Sequence, residues 1–193
     1  MIFVTADTHF NHANILEFCP NRIARDVNHM NQAIIQSINE VVKPTDELYF
    51  VGDFAMKGNN DEAIPLILKQ IACKHTRLVF GNHDKHRHGQ FFEQSYEMVD
   101  VKENHQRYTL CHYAMASWRR GAFMLHGHWH GKGPTVAGRL DIGVDGPTAQ
   151  DFRGPWSLAA VKAYIEDRDR AALVAGTLKK MFDERMRELD KPE

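Results

Sequence analysis

Short apolar runs alternate with longer stretches in which apolar residues return every three or four positions. Ile2-Phe3-Val4, Leu48-Tyr49-Phe50-Val51 and Arg77-Leu78-Val79-Phe80 read as buried strands. Between the first two, Val27, Met30, Ile34, Ile38 and Val41 form one face of an amphipathic helix, with Asp26 as its cap and Pro44 past its end. A shorter helix covers Ile15–Phe18 and stops at Pro20, and Asp61 caps a further helix from Glu62 to about Ala72. This β-α-β-α-β order predicts a parallel sheet with right-handed crossovers.

After His83 the pattern changes. His86–Gly89 reads as a polar loop and Phe91–Ser95 as a short helix. Met98–Val101, Tyr108–Cys111, Phe123–Leu125 and Leu140–Val144 follow as short strands with little helix between them. They predict a second sheet, more antiparallel in character, packed on the first. Ser157 caps a helix through about Arg168, and Ala171–Leu189 reads as an amphipathic helix docked on the body. Its sharper alternative is an oligomerisation helix, which makes a homodimer one expectation. The domain is expected over residues 1–165, with 166–193 as a helical extension packed on it.

Composition narrows the classes. The 193 residues, 43% hydrophobic and 25% charged, suit one soluble domain with a full core. A net charge of −1 gives no global field for nucleic acid or an anionic membrane, and there is no strong case for duplex binding. Three cysteines without CxxC spacing argue against a disulfide framework. No signal peptide or membrane-spanning run is seen, so a cytoplasmic protein is expected.

The 12 histidines change the picture. Strand after strand ends in a residue able to bind metal: Asp7 and His9, then Asp53, then Asn82 and His83, then His112, then His126, His128 and His130. In open α/β sheets, sites form beyond the carboxyl ends of the strands, so these residues can converge. Carboxylate, amide oxygen and imidazole without thiolate suit Mn, Fe, Zn or Ni rather than a structural zinc site. The set exceeds one ion's need and fits two ions sharing a carboxylate, for which Asp53 is the natural bridge.

The ordered series Asp7-x-His9, Gly52-Asp53, Gly81-Asn82-His83-Asp84, His112 and Gly127-His128-x-His130 resembles the calcineurin-like metallophosphoesterases. Thr8–Ile15, His112-Tyr113 with Trp118, and Gly143-Val144-Asp145 before Pro155-Trp156-Ser157-Leu158 look like a small bacterial and phage branch. Ala114 departs from it, standing where proline is expected after His-Tyr.

The resemblance implies an α/β/β/α four-layer sandwich of two mixed sheets. It implies two divalent or mixed-valence metal ions, one held by Asp7, His9, Asp53 and His130, the other by Asp53, Asn82, His112 and His128. His83 would face the substrate with Asp84 orienting its ring, and His126 would support the site from behind. His12, Trp118, Arg119 and Arg120 are candidates for the substrate pocket.

The implied activity is a dinuclear phosphoester hydrolase, with in-line attack on a small nucleotide-like or cyclic phosphodiester preferred. A phosphomonoesterase or nucleotidase with the same core is the alternative, and a non-catalytic scaffold the reading from another class.

Overall fold

The computed structural model describes residues 1–22, 24–56, 60–146 and 154–189. Its first sheet comprises β1 (Ile2–Thr5), β2 (Glu47–Val51), β3 (His75–Val79), β4 (Gln94–Tyr96) and β9 (Trp156–Ser157). Its second comprises β5 (Val99–Glu103), β6 (Gln106–Leu110), β7 (Ala122–His126) and β8 (Arg139–Asp141). The strand orders are β4-β3-β2-β1-β9 and β5-β6-β7-β8.

In the first sheet β1, β2, β3 and β4 run parallel, and β9 closes the edge antiparallel to β1. Alternation along the strands then sorts the core. Phe3, Leu48, Phe50 and Leu78 face the helices, meeting Met30, Ile34 and Ile38 of α2 (Val27–Val41) and Ile64 of α3 (Asn60–Leu68). Val4, Tyr49, Val51 and Val79 face the other way, onto Tyr108, Leu110, Leu125 and Leu140 of the second sheet. Leu158, Val161 and Ile165 bring α4 (Leu158–Leu189) into this inner core, flanking β1, β9 and β8. Two mixed sheets with flanking helices are thus the architecture that the sequence predicts.

Two of the three expected caps form: the Asp26 side chain accepts the His29 amide at 2.8 Å, and Ser157 accepts that of Ala160 at 3.2 Å. The short helix α1 occupies Ile15–Phe18 as expected.

Other details differ. The second sheet is antiparallel only between β5 and β6, whereas β6, β7 and β8 run parallel. The loops 111–121 and 127–138 are long enough to carry the chain back to the start of the next strand. The segment expected as helix around Phe91–Ser95 is instead a 3-10 turn (His86–Phe91) followed by β4, because the open edge of β3 satisfies its backbone. Asp61 lies in the first turn of α3 rather than capping it, and α3 ends at Leu68.

The two expected C-terminal helices are one, α4. Its outer part does not dock over the described side chains. Leu173, Val174, Leu178 and Met181 are 71%, 54%, 61% and 61% exposed, so the helix runs past the body.

Candidate metal centre

Each predicted ligand sits just beyond a strand end, and the backbone there is unusual. Of the eight described non-glycine residues with positive φ, five are candidate ligands: Asp7, His9, Asp53, His128 and His130. Such conformations are disfavoured for residues with a Cβ and cluster where a site dictates geometry. The loop after β1 is therefore not the continued extended strand the spacing suggests. It is zipped to the loop after β2, with the amides of Asp7, His9 and Phe10 donating to the carbonyls of Gly52, Asp53 and Phe54.

Asp53 stands at the centre. Its Oδ2 lies 3.4 Å from Nε2 of His112, 3.6 Å from Nε2 of His9 and 3.9 Å from Nε2 of His83. Its Oδ1 accepts the His83 amide at 2.9 Å. Gly81 is needed for this approach rather than for its φ, since a Cβ there would stand 2.3 Å from Asp53 Oδ1. Burial alone would raise the Asp53 carboxyl, but the His112 hydrogen bond and charge and the His83 amide draw it down to about 2.

Donor atoms gather on either side of Asp53. On one side, those of Asp7, His9 and His130 all lie within 4.8 Å of one another. On the other, the Asn82 amide oxygen is 3.1 Å from Nε2 of His112 and 2.9 Å from Nδ1 of His128. A third group joins Asp7, Asp53 and His112, which ties the two sides together. Nδ1 of His112 lies 3.0 Å from the Val51 carbonyl, an arrangement that aims Nε2 at Asp53.

The electrostatics fit a cation. Both ring nitrogens of His9, 2% exposed, are buried without a hydrogen-bond partner, a costly state that a coordinated ion would relieve at one of them. Burial holds this ring neutral, with its pKa lowered to about 3. Burial also pushes the Asp7 carboxyl up to about 7, against the pull of His130 and His112, a shift that a bound cation would oppose. Asp7, His9, Asp53, Asn82, His112, His128 and His130 thus gather donor atoms of the kind that could hold a metal ion.

His130 is held differently. Burial would lower its pKa, but Nδ1 lies 2.7 Å from Asp145 Oδ2, and this raises it to about 10. A pKa raised above the unfolded value of 6.5 gives stability that is complete below that value and lost as pH climbs through about 10. Cation-free protein is therefore expected to melt at progressively lower temperature between pH 7 and 10, and His130→Gln to flatten that slope in differential scanning calorimetry. An unchanged slope in the variant would remove His130 as its source.

Several expected roles change. Asp84 does not orient the His83 ring: its carboxylate accepts the amides of Gly81 and Asp53 at 2.8 Å each and of Phe54 at 3.2 Å. It braces the loops after β2 and β3, and burial pushes its carboxyl up to about 6. Trp118, Arg119 and Arg120 are not among the lining residues of the cavity that opens beside the centre. Trp118 donates to the Ala122 carbonyl at the start of β7, Arg119 reaches Asp100 on β5, which pairs with Thr109 near the end of β6, and the adjacent Arg120 is exposed. His126 is buried behind the centre, 2.8 Å from the Gly127 carbonyl and edge-on to Trp129.

A cavity of about 530 Å³ opens beside the centre, and both His12 and His83 line it. Ile15, the end of the Thr8–Ile15 motif, also lines it, with Phe18, Met56 and Lys132, which no sequence motif marked. Cys19 shares this wall, with Sγ 3.6 Å from Nδ1 of His130.

No family model matches the chain. An uncharacterized protein of Methanocaldococcus jannaschii, MJ1445, is 32% identical over 133 residues, covering 67% of this chain and 69% of the relative. The crystal structure of AQ665 from Aquifex aeolicus, a protein of unknown function, superposes with a TM-score of 0.67 at 24% identity, covering 86% of this chain and 99% of the other. The phosphoesterase YfcE from E. coli is a looser likeness, with a TM-score of 0.43 and 14% identity over 67% of this chain and 69% of the other. The chain belongs to the family of the M. jannaschii protein.

Proposed function

We propose that the chain is a cation-dependent phosphoester hydrolase acting on a small phosphodiester. The observation that carries this reading is the buried Asp53 carboxylate, ringed by imidazoles from three other segments, two of which, His9 and His83, line a cavity. Two divalent ions, from among Mn, Fe, Zn and Ni, would there neutralise phosphoryl oxygens and make a water acidic enough to act as nucleophile near neutral pH.

The side chains divide the remaining work. Asp7, His9 and His130 would hold one ion and Asn82, His112 and His128 the other, with Asp53 between them. His83, its side chain 34% exposed and its amide pinned to Asp53, presents its ring to the cavity. There it donates a proton to a phosphoryl oxygen or to the departing alkoxide.

The cavity wall favours a diester. Among its described residues Lys132 is the one permanent cation, which suits a singly charged phosphate better than a dianionic monoester. Ile15, Met56 and the 58% exposed Phe18 offer apolar surface for the organic groups, and Phe18 suits the face of a nucleobase. Three free cysteines fit a reducing, cytoplasmic compartment, and among the described residues no helix is long and apolar enough to cross a membrane.

With Mn²⁺ the protein is expected to cleave bis-p-nitrophenyl phosphate and a 2′,3′-cyclic nucleotide faster than p-nitrophenyl phosphate, and chelation to abolish all three activities. Faster turnover of the monoester would reverse the diester preference, and no hydrolysis with any of the four metals would sink the enzymatic reading.

A further inference from the structure

Behind the centre lies a buried cation that belongs to none of the motifs. Arg22 is 4% exposed, and its guanidinium grips Asp145 with two bonds, Nε to Oδ1 at 2.8 Å and Nη2 to Oδ2 at 2.6 Å. Nη2 also donates to the Asp7 carbonyl at 2.6 Å and Nη1 to the Thr8 carbonyl at 3.1 Å. Oδ2 of Asp145, held in this way, is the atom that lies 2.7 Å from Nδ1 of His130.

We propose that Arg22 is the positioning residue of one ion position only, the one formed by Asp7, His9 and His130, and that Asp145 is its relay to His130. The inference rests on the cation-dependent reading above.

Three contacts converge on that position. The Asp145 carboxylate fixes the imidazole of His130 with Nδ1 engaged, which leaves Nε2 for a cation. The carbonyls of Asp7 and Thr8 flank the left-handed turns at Asp7 and His9, so Arg22 pins the backbone that aims both side chains. The other position is braced elsewhere: His112 by the Val51 carbonyl, and Asn82 by the turn that Asp84 holds. Lysine could keep the charge, but one ammonium cannot span a carboxylate and two carbonyls in the plane of a guanidinium.

The test uses Arg22→Lys and Asp145→Asn in the full chain, stripped of metal and titrated with Mn²⁺ while free Mn²⁺ is read by electron paramagnetic resonance. Wild type is expected to take up two ions, and each variant to keep one unchanged and bind the other about 10–100-fold more weakly. Long-range ¹H–¹⁵N spectra of the imidazoles, recorded without metal, are expected to show the His130 Nδ1 signal displaced in both variants.

Two unweakened ions in both variants, or equal weakening of both ions, overturns the proposal. So does an undisplaced His130 signal. Because the spectra need no cation, they separate a failed Arg22–Asp145–His130 linkage from a failed cation reading, which wild type itself would reveal by binding no Mn²⁺. Asp145→Asn preserves shape and one acceptor, so it carries the test if Arg22→Lys does not fold.

Discussion

Asp53→Ala is expected to release bound metal and to lower phosphodiester hydrolysis by more than about 10²-fold, since even indirect supports of metal ligands cost 10–100-fold. The expectation follows from position. One carboxylate oxygen lies within 3.4 to 3.9 Å of nitrogens on His112, His9 and His83, so its loss removes the charge that balances cations on both sides. Alanine also frees the His83 amide, which Asp53 Oδ1 holds at 2.9 Å, so the turn after β3 loses an anchor. Asp53→Asn separates the two effects because it keeps an acceptor for that amide while discarding the charge. Elemental analysis of the purified variants decides the matter: alanine and asparagine forms that each retain two metals per chain would end the bridging role.

His83→Ala is expected to behave in the opposite way, keeping its metal while turnover falls by about 10²–10⁴-fold. The ring lies at the cavity, and its contacts are Asp53 at 3.9 Å and the His9 ring at 5.4 Å between centroids. Its removal opens no hole in the core, so the unfolding midpoint in urea is expected to stay close to that of wild type. The deficit should also depend on the substrate. A nucleoside alkoxide needs a proton to depart and p-nitrophenolate hardly does, so the loss in kcat is expected to grow with the basicity of the leaving group. A uniform deficit would reassign His83 to holding phosphoryl oxygens, and unchanged kcat would remove it from the reaction.

The strand ends were legible because they are local. Three apolar runs of three or four residues each stop at Asp7, Asp53 or Asn82, and parallel pairing of β1, β2 and β3 places those stops at one rim. The direction of the second sheet was not legible. Parallel pairing of β6 with β7 depends on the path of the loop between them, and apolar periodicity carries no record of that path.

The same loop explains why Trp118, Arg119 and Arg120 were misplaced. They follow His112 closely in sequence, but the chain must travel back to Ala122 to start β7, so Trp118 meets the Ala122 carbonyl there and none of the three lines the cavity. The pairing of Arg22 with Asp145 escaped for a related reason, although the Gly143-Val144-Asp145 motif itself was marked. The two lie 123 positions apart, and nothing in either local stretch announces the other. The misreading of Asp84 was one of chemistry. Adjacency to His83 suggested a partner for the ring, whereas backbone amides of two loops claimed the carboxylate first.

The left-handed backbone at Asp7, His9, Asp53, His128 and His130 also limits what these positions can become. Aspartate, asparagine and histidine are the L-residues that enter that region most readily after glycine. They are also oxygen and nitrogen donors short enough to reach an ion held close to the main chain. Glutamate keeps the charge of aspartate but adds a methylene to a side chain already enclosed, and it lacks the same tolerance for the turn. Backbone sterics and coordination chemistry therefore admit the same small vocabulary, and a Glu for Asp7 or Asp53 is a drastic replacement despite its unchanged charge.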